Sequence, residues 1–220
     1  EIQAACNNND TFAIAPYMMY EVNAWTNHQQ LFAPLFAESE MNCRTGVARQ
    51  NREMLNAFPR QIPLSVYEIN LHTTGGSISQ EALDALTPSL GAGIAVANSM
   101  LQMLRDLNIR DQVFYSLPQI YFQRSDGKKV RLWGAVIDMG VTDRRRPQYL
   151  ALQLVNKTIS AATMIVTTHS VEPTWDQPEM NGVALPGARY LQSFAFQRPG
   201  GGHAVVLFNL HLTDSMAVTF

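Results

Sequence analysis

Apolar positions along this chain fall into two regimes. Up to about residue 160, short β-branched or aromatic runs alternate with stretches of helical period; beyond it only short runs remain. "TFAIAPYMMYEV" (11–22) has the character of a buried strand, with Pro16 as a break near its end. "NHQQLFAPLFAESEMNCR" predicts loop and a short helix. "TGVARQNREMLNAF" predicts a better helix, with Val47, Met54, Leu55 and Phe58 roughly on one side. Pro59 and Pro63 bracket the return to a second strand, "LSVYEIN". A long helix follows, with Thr87 as N-cap and Pro88 in its first turn. Leu90, Ile94, Ala97, Leu101 and Leu104 then recur at three- and four-residue spacing, and the small Gly91, Ala92, Gly93 and Ala95 permit close packing on a sheet. "QVFYSLPQIYF" is a third strand, "RSDGKKV" a polar turn, and "RLWGAVIDMG" extended or irregular. Pro147 opens a last helix, "QYLALQLVNKTI".

Strand then helix, three times over, implies parallel strands joined by helical crossovers. After residue 160, "ATMIVTTHSV", "ARYLQSFAFQR", "HAVVLFNLHL" and "MAVTF" are short strands punctuated by Pro, Gly and Asp, and "PGGG" predicts a hairpin turn between two of them. The expected organisation is an α/β region over 1–160 followed by an all-β region, a β-sandwich, over 161–220.

Composition narrows the function classes. The chain has 220 residues, 46% hydrophobic and 15% charged, which is the balance of a globular protein with a sizeable core. A net charge of -2 offers no basic field for nucleic acid. The apolar runs fall short of a membrane span, so no membrane partner is expected. Five scattered histidines and two cysteines give no metal-ligand spacing, and no cofactor motif is present. Cys6 and Cys43 read as two buried thiols, with a disulfide left open. The glycines of "RPGGGH" lead into a strand rather than a helix, so they are not a phosphate loop. There is no Gly-x-Ser-x-Gly elbow.

One acid stands out. Glu68 ends an apolar strand and precedes the polar loop "INLHTTGG". In parallel β/α units, functional side chains gather at the carboxyl ends of strands. Position alone does not separate such a group from a solvated or arginine-paired carboxylate. Tyr17 and Tyr20 end the preceding strand, and Tyr115 and Gln119 lie on the following one. Asn70 and His72 follow Glu68 closely, and Trp133 could present a platform to a sugar ring. Each is equally compatible with ordinary packing.

The ordered series resembles a known family. A strand ending in aromatics, a strand ending in Tyr-Glu, a helix rich in small residues, "VFYSLPQ", "RPQYLALQLVNK" and the β-region "SFAFQRPGGGHAVVLFNLHLTDSMAVTF" together look like the C-terminal half of retaining glycoside hydrolases of the (β/α)8-barrel clan. The nearest members are α-L-arabinofuranosidases and the related β-xylosidases and β-glucuronidases. The resemblance implies strands six to eight of a TIM barrel followed by a β-sandwich. It implies Glu68 as the nucleophile at the end of strand seven, with Tyr17 or Tyr20 hydrogen-bonding it from strand six. It further implies a carbohydrate substrate and a secreted or periplasmic location. Tyr17, Tyr20, Asn70, His72, Tyr115, Gln119 and Trp133 become the expected substrate contacts.

The chain departs from that family in one respect. The clan's acid/base is a Glu after an Asn at the end of strand four, and no Asn-Glu pair occurs here. Retaining hydrolysis needs two carboxyls about 5 to 5.5 Å apart. The expectation is therefore a fragment or cleavage product whose acid/base and remaining strands come from a second chain or a missing N-terminal segment. A non-catalytic carbohydrate-binding or accessory protein of the same fold is the alternative.

Overall fold

The computed structural model describes residues 9–130, 134–159, 164–166 (backbone only) and 173–219. Three strands, β1 (Phe12–Ile14), β2 (Leu64–Ile69) and β3 (Gln112–Phe114), form one parallel sheet in chain order. Helices α1 (His28–Arg44) and α2 (Val47–Asn56) connect the first two strands; α3 (Gln80–Leu86) and α4 (Leu90–Leu107) connect the second and third. Crossovers of this kind are what parallel neighbours require.

The strands have two unlike faces. Leu64 and Val66 are buried with Leu55, Met103 and Ile109 beneath the helices, and Phe12 and Ile14 pack onto the same cluster. On the opposite face, Tyr67 and Val113 are 54% and 56% exposed, and Ala13 is exposed beside them. Parallel sheets are normally covered on both sides; here one side is bare and, among the described residues, β1 and β3 have no outer neighbour.

Several sequence expectations move. Helix α1 is one continuous element of 17 residues rather than loop and short helix. Asn27 caps it by accepting from the Gln30 amide at 3.0 Å, and Pro34 lies inside it. Its buried stripe of Leu31, Leu35, Phe36 and Ser39 outweighs the roughly 3 kcal/mol that an interior proline costs. Thr87 does not cap the long helix. It terminates α3, and Ser89 caps α4 by accepting from Ala92 N at 3.1 Å. The first strand is only three residues long, and "MAVTF" forms no strand over its described residues. Pro147 does open the last helix, α5 (Pro147–Thr158), and Asn108 stops α4 in a left-handed conformation. The segment from Ser116 to Arg146 holds two small hairpins, β4 (Phe122–Gln123) with β5 (Lys129–Val130) and β6 (Val136–Ile137) with β7 (Arg144–Arg145).

The C-terminal strands make two antiparallel sheets. Strands β9 (Thr174–Met180) and β10 (Val183–Arg189) form a hairpin around Asn181 and Gly182, both at positive φ. Strands β11 (Leu191–Gln197) and β12 (His203–Asn209) form the hairpin expected across "PGGG", and β8 (Met164–Val166) joins the edge of β11. Phe194, Phe196 and Phe208 share one core cluster with Ala92, Val96 and Leu101 of α4 and with Met18 and Leu71. The opposite face of β12, with Val205 and Leu207, is partly exposed.

A buried carboxylate joins helices to hairpins. Glu40, on α1, is 3% exposed. It bonds the Arg44 guanidinium, accepts from Arg189 N at 3.0 Å and Gln192 Nε2 at 3.2 Å, and has Arg189 Nε at 3.7 Å. Removing it takes the carboxylate from two half-exposed arginines, of which Arg44 keeps the Pro186 and Gly187 carbonyls, and takes the acceptor from the Arg189 amide and the buried Gln192 carboxamide. We expect Glu40→Ala to cost roughly 3 kcal/mol of unfolding free energy, below the upper range for a fully buried pair because both arginines reach solvent. Urea denaturation monitored by circular dichroism measures this; a change under about 0.5 kcal/mol would be a surface-like response and would deny the role.

Candidate functional site

The carboxyl ends of β1 and β2 continue to pair beyond the strands. Met18 N donates to Asn70 O (3.1 Å), His72 N to Met18 O (2.7 Å), Thr73 N to Met19 O (2.9 Å), Gly75 N to Tyr20 O (2.9 Å) and Val22 N to Gly75 O (3.2 Å). This backbone zipper lays 17–22 along 70–75 and brings the side chains of both loops to one end of the sheet. Gly76 has to be glycine: its φ is +87°, and a Cβ there would lie 2.2 Å from the Val22 carbonyl oxygen.

Register also changes where Glu68 sits. Val66 pairs with Gln112 and Ile69 with Phe114, so β2 carries one more residue than β3 over this interval. The irregularity returns Ile69 to the helix-side core and leaves Glu68 half-buried outside that core. Extra residues of this kind re-aim side chains at strand ends. Tyr17 Oη donates to Glu68 Oε2 at 2.9 Å. Burial, then the bond to Glu68 and its negative charge, push the Tyr17 phenol pKa up, so this hydroxyl stays protonated and remains a donor.

His72 lies against both tyrosines. Its ring is 5.5 Å from that of Tyr17, edge-on, and 4.9 Å from that of Tyr20, which is itself 61% exposed. Thr74 Oγ1 lies 2.7 Å from His72 Nδ1, and burial pushes the imidazole pKa below its ordinary value, favouring the neutral ring. Asn70 is a brace rather than an open contact: it is buried, its Nδ2 donates to Tyr115 O at 2.7 Å and its Oδ1 accepts from Leu71 N at 2.8 Å. That bond ties the end of β2 to the end of β3, just before the cis peptide Tyr115–Ser116.

Tyr17, Tyr20, Glu68, Asn70, His72 and Tyr115 thus gather around the carboxyl ends of the three parallel strands. Gln119 is held elsewhere: its Oε1 accepts from Arg146 and its amide N donates to Val136 O at 3.1 Å. Trp133 lies outside the described residues. Arg124 donates to the Gly75 carbonyl at 3.0 Å and pairs with Asp126, and Arg144 pairs with Asp138 at 2.8 Å. Arg131, like Trp133, lies outside the described residues. Among the described residues no group of three His, Cys, Asp or Glu side chains comes together to hold a metal ion. Among them also, no helix is long and apolar enough to cross a membrane.

Two contributors went unseen in the sequence. Tyr67, next to Glu68 in sequence, stands exposed on the open sheet face; strict alternation along "LSVYEI" could have placed it there. Glu38 is the other. Its Oε2 accepts the Met19 amide at 2.9 Å, holding Met19 at a φ of 55°, and burial raises its carboxyl pKa to about 7. The signal was its spacing on α1, three residues after the buried Leu35 and seven after Leu31. No family model matches this chain, and no curated protein matches it.

Two outcomes follow from this geometry. Gly76→Ala forces a methyl group into the Val22 backbone at positive φ, and we expect a loss of about 1–3 kcal/mol of stability. Thermal unfolding measures it, and an unchanged melting temperature would show that the zipper is not needed. Glu38 has its folded pKa raised above its unfolded value of 4.5, so its contribution is complete below about pH 4.5 and lost as pH rises through about 7. Glu38→Gln keeps an acceptor for Met19 without the ionisation. The variant should match the wild type near pH 4.5 and exceed it in melting temperature by several degrees at pH 8; parallel curves would contradict this.

Proposed function

We propose that this chain carries the nucleophile of a retaining glycoside hydrolase, with β1, β2 and β3 as strands six, seven and eight of a (β/α)8 barrel. The observation that carries the reading is Glu68, at the carboxyl end of the central parallel strand, receiving the protonated hydroxyl of Tyr17. Tyr20 and His72 add an aromatic wall of the kind that packs against sugar rings. The bare sheet face and open edges support the rest: further polypeptide, in the same chain or a second one, would cover Tyr67 and Val113, close the barrel and supply the acid/base.

In that assembly the two carboxylate oxygens have separate tasks. Tyr17 holds Oε2, and Oε1 attacks the anomeric carbon as the glycosidic C–O bond breaks. The leaving oxygen takes its proton from the carboxylic acid across the bond. The same group, now a carboxylate, deprotonates a water that displaces Glu68 from the sugar. Neutral His72 can accept or donate a hydrogen bond to a sugar hydroxyl without placing a second positive charge beside the oxocarbenium-like transition state.

A non-catalytic sugar-binding protein is the second reading. It is favoured by one observation: the chain has no Asn-Glu pair of the kind that carries the clan's acid/base.

Incubation of the purified protein, with any polypeptide that co-purifies, with 2-deoxy-2-fluoroglycosyl fluorides of pentoses and hexoses tests the reading. The expected result is one glycosyl adduct on the Glu68 peptide by mass spectrometry. Glu68→Gln should lose the adduct and lower turnover by about 10⁴-fold with the fold intact. Normal turnover in that variant removes Glu68 from catalysis; sugar binding with no turnover in the wild type selects the second reading.

A further inference from the structure

A cavity of about 250 Å³ lies between the 19–25 loop, the first turns of α1 and the β9–β10 turn. Trp25, Met19 and Met180 line it with the carboxamides Asn23, Gln30 and Asn181. We propose that it is a second carbohydrate site, apart from Glu68, taking one neutral sugar ring of a longer glycan.

The lining chooses the class. No charged side chain lines the cavity, so an anionic or cationic ligand would lose its hydration without a counter-charge. The three carboxamides, on exposed residues, form a polar rim that a purely apolar ligand would leave unused. An aromatic ring beside amides is the combination that meets the apolar face and the hydroxyl rim of a sugar. Donors are free for it. Gln30 Oε1 is used by Thr26, and Asn181 Oδ1 accepts from Asn23 at 3.4 Å, yet among the described residues Gln30 Nε2, Asn181 Nδ2 and the Trp25 indole N–H have no protein partner. The volume is below the roughly 300–1,000 Å³ of pockets for drug-sized ligands and suits a single ring. The site is also built. Asn23 is fixed by accepting from Ser77 N and Oγ, at 3.2 and 3.1 Å, and Met19 by Glu38.

The proposal deepens the carbohydrate reading and rests on it for the identity of the hydroxyl-rich ligand. Its lining differs: Met19 and Val22 come from the parallel-sheet region and Met180 and Asn181 from the C-terminal hairpin, and Glu68 is not among the lining residues.

Titration calorimetry of the full chain with xylotriose, cellotriose and maltotriose, one at a time, tests it. At least one should bind saturably. Asn181→Gly keeps the positive-φ turn while deleting the carboxamide, and should weaken binding at least fivefold; Trp25→Phe should do the same. In the Glu68→Gln protein, where turnover adds no heat, the same probe should still bind saturably. No saturable binding of any probe to the folded wild type, or binding undiminished in Asn181→Gly, overturns the proposal. Binding lost in Glu68→Gln but kept in Asn181→Gly assigns the sugar to the Glu68 cleft and overturns it equally. Asn181-dependent binding in a protein that forms no adduct on Glu68 upholds this site and sinks the hydrolase.

Discussion

Everything at the candidate site depends on backbone pairing that outlasts the strands. β1 and β2 are short, but their partnership runs on through Met18–Asn70, Met19–Thr73 and Tyr20–Gly75. Two loops that would otherwise sample many conformations are thereby held to one another by amide–carbonyl bonds. A hydrogen bond between two side chains near a strand end is weak when both ends are mobile, because ordering them costs side-chain entropy. Tyr17 and Glu68 meet at 2.9 Å because their backbones are already fixed. Glu38 from below and Gly76 at the turn complete that fixing.

The same sheet that orders the site is unfinished as a physical object. Its helix-side face is a packed core, while Tyr67 and Val113 face solvent on the other. Water on that face would solvate the Tyr17–Glu68 pair and weaken each electrostatic contact made there. A covered face would raise the value of the Tyr17–Glu68 bond as well as the stability of the sheet. Cover of the sheet face and the strength of that hydrogen bond are therefore linked through the local dielectric.

Legibility of the sequence varied with the kind of signal. Pro147 and the glycine turn at 199–202 were readable because each fixes the backbone locally, whatever surrounds it. Glu68 was readable because an acid at the end of an apolar run is conspicuous, and the choice between Tyr17 and Tyr20 as its neighbour needed three dimensions. Helix α1 exceeded the short helix expected for 27–44 because burial of one face overrode the local cost of an interior proline. Thr87 misled because Ser89, two residues on, offers an equally good cap and only the chain's path decides between them. Asn181-Gly182 was a plain hairpin signal that the surrounding prolines obscured. Glu38 was hidden for a different reason: a carboxyl with a raised pKa is defined by what buries it, and that comes from elements distant in sequence.

Glu40 has a consequence for how this molecule can be divided. Its carboxylate sits in α1, early in the chain, and two of its donors, the Arg189 amide and the Gln192 side chain, arrive some 150 residues later. Separating the hairpins from α1 would break both of those bonds and leave the carboxylate with Arg44 alone. The C-terminal hairpins are thus poor candidates for excision as an independent module. Domain swapping, trimming and modular grafting would all meet the same obstacle, and the chain is best treated as one inheritable unit from α1 to β12.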